Sequence, residues 1–140
     1  MQFLESRLLG IQIDETGREA VLSFIDASGT RFTMNLHGIE KIVVNEFRQQ
    51  NVIEDMKHWR RTNGSSEMRS AAFMLIAGAL EKDCSPRLAM VVQDVENKVI
   101  RGELELMEIT AIFGAQIIAL FTSATYSKIP KPVSREIRNP

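Results

Sequence analysis

The sequence predicts an α+β domain: an antiparallel sheet of about six to seven strands with two helices packed on one face. Three observations predict it. Short segments that alternate apolar and polar residues fill most of the first 60 positions, a stretch rich in Ala, Met and Leu with helix-end signals fills 67–101, and alternation resumes after Gly102.

Residues 3–13 read as the first strand, and "DETGR" then supplies a glycine turn into "EAVLSFID", where Leu22 and Phe24 oppose Val21, Ser23 and Ile25. "ASGT" at 27–30 is a second turn, and "RFTMNL" places Phe32, Met34 and Leu36 on one face. "IEKIVVNEF" is β-branched enough for a fourth strand, although its first half also suits a short helix, and "NVIEDMKHW" reads as a fifth. Residues 67–82 are too long and too poor in β-branched residues for a strand, so a mostly buried helix is expected there. Ser85 as N-cap, Pro86 at the first helical position and Gly102 at the end delimit a second helix, with Leu88, Val91, Val92, Val95 and Val99 as its apolar stripe. "ELELMEI" and "AQIIALFTS" close the sheet, and the unbroken "IIALF" predicts burial on both faces.

Charge divides the chain. Residues 1–122 carry 13 basic and 17 acidic side chains, whereas 123–140 carry four basic residues, Glu136 alone as an acid, and three prolines. The expected organisation is a single domain over 1–122 followed by a flexible basic tail over 123–140. Four cations without interleaved aromatic residues read as a solvated tail, not as a nucleic-acid contact. Cys84 is the only cysteine, which excludes an internal disulfide and a cysteine-rich zinc site and favours a reducing compartment. The longest apolar run, 71–80, is about half a membrane span, and no secretory leader opens the chain; a cytoplasmic protein is expected.

No catalytic or cofactor signature stands in the sequence. There is no glycine-rich phosphate loop, no nucleophile elbow and no histidine or cysteine pair at metal-ligand spacing. An enzyme would need His37 or Cys84 in a real cleft; His37 reads first as a strand-end side chain, His58 as no better a candidate, and Cys84 as a packing residue. The expectation is therefore a non-enzymatic protein without cofactor or metal. Interface chemistry has better candidates. Trp59 beside Arg60 and Arg61 has the composition of a binding anchor, although a Trp closing the core explains it equally well. Glu103 and Glu105 oppose Leu104 and Leu106 by alternation, and Glu54 with Asp55 adds charge on another strand. Glu54, Asp55, Trp59, Glu103 and Glu105 are the expected partner-binding residues.

Between the fourth and fifth strands lies the connector "FRQQN", in which Phe47 is expected to anchor in the core, Arg48, Gln49 and Gln50 to project outward and Asn51 to bond the turn backbone. "GIEKIVVNEFRQQNVIEDM" resembles the Phe-Arg-x-x-Asn-Ile-Ile connector of small bacterial proteins of toxin-immunity type, and "IRGELELMEITAIFGAQIIALF" is similar to their later strand, glycine turn and final strand. Some of these proteins are encoded beside contact-dependent inhibition or polymorphic toxins and protect the producing cell by binding the toxin's C-terminal domain. The resemblance implies an immunity protein that blocks a cognate toxin domain, for which the mildly acidic body suits a basic nuclease. The alternative is a small structural or oligomerising domain that pairs with a copy of itself through the apolar helix at 71–80.

Overall fold

The computed structural model describes residues 4–47, 51–112 and 114–130. Eight strands and two helices follow in the order β1 (Arg7–Ile13), β2 (Glu19–Ile25), β3 (Arg31–His37), β4 (Lys41–Asn45), β5 (Asn51–Trp59), α1 (Ser66–Ala77), α2 (Pro86–Arg101), β6 (Glu105–Ala111), β7 (Gln116–Phe121) and β8 (Ser123–Ile129), with a single 3-10 turn at Glu81–Asp83 before α2. All neighbouring strands are antiparallel, in the order β4-β7-β6-β5-β1-β2-β3-β8. The α+β class and the antiparallel sheet stand as expected; the described residues form eight strands, not six to seven. The additional strand is β8, where a flexible tail was expected: Ser123–Ile129 pairs along its whole length with β3. Residues 131–140 lie outside the described residues.

The sheet closes on itself. β3 and β4 form one bent run of chain, as do β7 and β8, and the two runs pair with each other. Between the two ladders, Glu40 N donates to Leu120 O at 2.8 Å and Thr122 N to His37 O at 2.9 Å, so the pairing is carried across the bend. The bend needs Gly38. Its φ is +64°, and a Cβ there would overlap the Thr122 hydroxyl. On the far side, among the described residues, β1 and β5 pair through Arg7↔Val52 and Leu8↔Asn51, with hydrogen bonds from Glu5 N to Ile53 O and Ile53 N to Ser6 O beside them. Asn51 seals this seam: it is 1% exposed, its Oδ1 accepts from Ala115 N at 3.1 Å, and its Nδ2 reaches Leu8 O. The connector's Asn was expected to bond its own turn; the bonds described instead reach Leu8 of β1 and Ala115 before β7. Phe47 does not anchor in the core; it is 47% exposed, and residues 48–50 lie outside the described residues.

Two apolar cores result. One fills the ring, with Leu8, Leu22, Phe24, Met34, Ile53, Ile109, Ile117 and Phe121 among its members and Ile42 and Ala124 packed against it, so every strand contributes. Phe24 and Phe32, opposite each other on β2 and β3, stack with centroids 5.1 Å apart. The other lies outside the ring, where Met68, Phe73 and Leu75 of α1 and Val92, Val95 and Val99 of α2 meet Leu106, Ile118 and Leu120. β7 is therefore buried on both faces, with Ile117, Ala119 and Phe121 inward and Ile118 and Leu120 under the helices. The helices are unequal partners of the sheet: α1 lies on β4, β6 and β7, while α2 packs chiefly on α1.

The ends of α2 follow the predicted chemistry: the Ser85 hydroxyl accepts from Leu88 N, Pro86 opens the helix and Gly102 ends it in left-handed conformation. α1 is bounded by caps the sequence reading did not name, the Ser65 hydroxyl accepting from Met68 N and Gly78 turning left-handed inside the expected helix. α1 stops at Ala77, five residues short of the predicted end at 82. Arg69 ties the layer together: it pairs with the buried Glu96 at 2.6 Å, bonds both oxygens of Glu81, and lies 5.2 Å over the Phe73 ring. The first two hairpins share one turn chemistry, Asp-x-Thr/Ser-Gly. Asp14 Oδ1 accepts from Thr16 Oγ1 at 2.7 Å, Asp26 Oδ1 accepts from Ser28 Oγ at 2.6 Å, and each glycine N–H returns to its Asp carbonyl.

Candidate functional site

Helical cover stops at β4, β6 and β7, which leaves the outer face of β1, β2, β3 and β8 without a helical layer among the described residues. Paired residues of antiparallel strands point to the same side. Leu22 with Met34 and Phe24 with Phe32 face the core, so Val21 with Asn35 and Glu19 with His37 face outward, together with Thr125 opposite Asn35. On this face lies a cleft of about 340 Å³ lined by Gln12, Asp14, Glu19, Ala20, Val21, Asn35 and His37.

The cleft is rich in acceptors. Asp14 is held below the usual carboxylate range, first by the Thr16 hydroxyl and also by the backbone N–H groups of Glu19, Gly17 and Arg18, against a smaller opposing effect of desolvation. Glu19 Oε2 lies 2.7 Å from His37 Nδ1, and His37 Nε2 lies 3.0 Å from Thr125 Oγ1. Asn35 Oδ1 is enclosed and has no hydrogen-bond partner among the described residues. None of the lining residues is Lys or Arg. A group entering here meets two carboxylates and an unpaired carbonyl oxygen, so the chemistry that fits is a cationic hydrogen-bond donor.

The expected partner-binding residues do not form one surface. Glu54 is exposed, at an irregularity between Ile53 and Asp55 in the pairing of β5 with β6; Asp55 pairs with Lys57 at 3.5 Å. Trp59 is half-buried against the helix-side core. Glu103 precedes β6 and pairs with Arg101 at 3.2 Å. Glu105 is turned away from bulk solvent: its side chain is 13% exposed and its Oε1 lies 2.6 Å from His58 Nε2. Glu105 is paired with Phe121 and His58 with Met107, which puts both polar side chains on the inward face of the ring. The His58 ring packs 5.8 Å from Phe121. Near them Tyr126 has its phenol pushed up by burial and then by the Glu105 charge, with Arg60 opposing. With its carboxylate and imidazole satisfying each other beside an aromatic ring, this pair reads as a structural closure of the ring's end.

Of the two residues expected to matter if the protein were an enzyme, His37 lines the cleft and Cys84 does not. Cys84 is half-buried, with its thiol donating to Leu80 O at 3.2 Å. Sequence reasoning missed Asn35, Glu19 and Thr125. The signal for Glu19 and His37 was available, since a hairpin closed by the 26–30 turn sets them opposite each other; Thr125 was hidden in the expected tail. Among the described residues no cluster of His, Cys, Asp and Glu could hold a metal ion, and no helix is long and apolar enough to cross a membrane. A second cleft of about 290 Å³ lies by the β2–β3 turn, but the Asp26 carboxylate there is already taken by Ser28 and Thr30. No protein-family model, no curated protein and no solved structure matches the chain.

Proposed function

We propose that this is a binding protein that docks a basic protein domain on the outer face of β1, β2, β3 and β8, and that its partner is a toxin domain which it blocks in the cytoplasm of the producing cell. The toxin comes from the immunity-type resemblance of residues 36–59 and 98–121; the docking face comes from the site. One observation carries that choice. Asn35 Oδ1 is buried without a donor in a cleft that already holds Asp14 and Glu19. An enclosed acceptor left unpaired costs about 1–3 kcal/mol, and the cost is relieved when a donor enters. A lysine or arginine from a basic partner supplies both the donor and the charge.

Coexpression with the toxin domain encoded beside the gene tests this. Growth protection should survive Glu103→Lys, because Glu103 lies elsewhere, and should be lost with Glu19→Lys. Asn35→Val is the sharper variant. It removes the orphan acceptor from a strand, so the thermal midpoint should rise by a few degrees, equivalent to about 1 kcal/mol, while toxin affinity falls at least about tenfold. Unchanged affinity in Asn35→Val and Glu19→Lys would sink the docking face.

A further inference from the structure

His37 has a neighbour on each ring nitrogen, and their order is chemically meaningful. Glu19 Oε2 at 2.7 Å from Nδ1 fixes the tautomer that carries its proton there, which leaves Nε2 as the acceptor facing Thr125 Oγ1 at 3.0 Å. Three strands build the set: β2 gives Glu19, β3 gives His37 and β8 gives Thr125. Cross-strand pairing of Glu19 with His37 and of Asn35 with Thr125 puts the hydroxyl one diagonal step from the imidazole. A carboxylate that orients an imidazole, which in turn accepts from a hydroxyl, is the arrangement that activates an alcohol as a nucleophile. The Thr125 hydroxyl is exposed beside this imidazole and outside the lining of the cleft of about 340 Å³, so a small acyl ester attacked there lies over the open sheet face, beside the amide of Asn35 on the directly paired strand position.

We propose that Glu19, His37 and Thr125 form a catalytic relay and that the protein cleaves small carboxylic esters through an acyl-threonine intermediate. Thr125 Oγ1 attacks the ester carbonyl carbon and forms a C–O bond while its proton moves to His37 Nε2. The bond to the alcohol oxygen then breaks, and the imidazolium returns that proton to the departing alkoxide. Water attacks the acyl-threonine, His37 takes a proton from it, and the proton is handed back to Thr125 as the carboxylic acid leaves. Glu19 holds Nδ1–H throughout. No oxidant or cofactor enters the balance.

The test uses the purified full chain and p-nitrophenyl acetate, with acid-quenched samples read by intact and peptide mass spectrometry. The expected result is turnover above buffer with an acetyl group on Thr125, a loss on the order of 100-fold in Thr125→Val and His37→Gln, and retention in Thr125→Ser, which keeps the hydroxyl. Glu19→Gln should lower turnover without lowering the binding of an unreactive ketone analogue. Acetyl found only on lysines, or equal turnover in wild type and Thr125→Val, overturns the proposal. So does inactivity of a Thr125→Ser variant with a wild-type circular dichroism spectrum. Thr125 lies on the docking face beside His37, so its variants are read by turnover and acetylation alone, while toxin affinity in Asn35→Val reports on docking; the docking face and the relay therefore fail separately.

Discussion

Glu105 shows how far a single residue can be read from its neighbours in sequence. Alternation correctly sets it opposite Leu104 and Leu106, and the leucines do lie with the helix-side core. The error lies in taking the other side of β6 for solvent. In a sheet that closes on itself the second face is the interior of the ring, and there Glu105 finds His58 at 2.6 Å. Charge reversal at this position leaves an ammonium group beside a histidine in a mostly enclosed place. Glu105→Lys is expected to cost about 2–4 kcal/mol by urea denaturation, while Glu103→Lys, which disturbs one exposed pair with Arg101, should cost less than about 0.5 kcal/mol. A comparable loss in the two variants would show that the His58–Glu105 contact contributes little.

At the scale of elements, the twin turns that open the fold titrate together. Asp14 and Asp26 both have folded-state pKa values below the ordinary carboxylate value, Asp14 chiefly through Thr16 and Asp26 chiefly through Ser28. Glu81 is lowered as well, chiefly by its hydrogen bond to Arg69. A carboxylate with a depressed folded pKa binds its proton less readily in the native state. Its contribution is present above the unfolded value and is lost as pH falls through the folded one. The thermal midpoint should therefore be flat near neutrality and decline below about pH 4, and Asp14→Asn and Asp26→Asn should each flatten part of the decline. A midpoint in the double variant that still falls as steeply as wild type assigns the acid sensitivity elsewhere.

Strand and helix identities were legible because each was signalled locally. Ser85, Pro86 and Gly102 bracket α2 in the sequence and in the structure, and "NVIEDMKHW" is β5 residue for residue. β8 was not legible, since "SATYSKI" carries few strong hydrophobes and shares a window with prolines and cations. Of the site, only His37 was named from sequence. Asn35 and Thr125 gain their chemistry from pairing across strands, which no local pattern encodes.

For the whole molecule, β8 is the element on which closure depends. It covers β3 from Arg31 to His37, and the run it continues from β7 holds β4. Truncation after Thr122 should consequently lower the thermal midpoint by more than about 10 °C or leave the chain unfolded, because it strips one edge of β3 and exposes the ring interior near Ala124. A truncated chain that melts within a few degrees of wild type would mean that β8 is a dispensable flap.

The pairing of residues 31–45 with 116–129 also has a temporal consequence. The strands at the start of the chain cannot finish their core until the last ones arrive, so loop-closure entropy across some eighty intervening residues is spent before those contacts repay it. Folding should then be slow for a chain of this length, on the millisecond-to-second scale set by its non-local topology, with hairpins β1–β2 and β2–β3 forming early and the ribbon locking last. A nascent chain that has not yet produced β7 and β8 presents Leu22, Phe24, Phe32 and Met34 as an unpaired apolar sheet, which is the moment at which this protein is most exposed to aggregation and most in need of a chaperone.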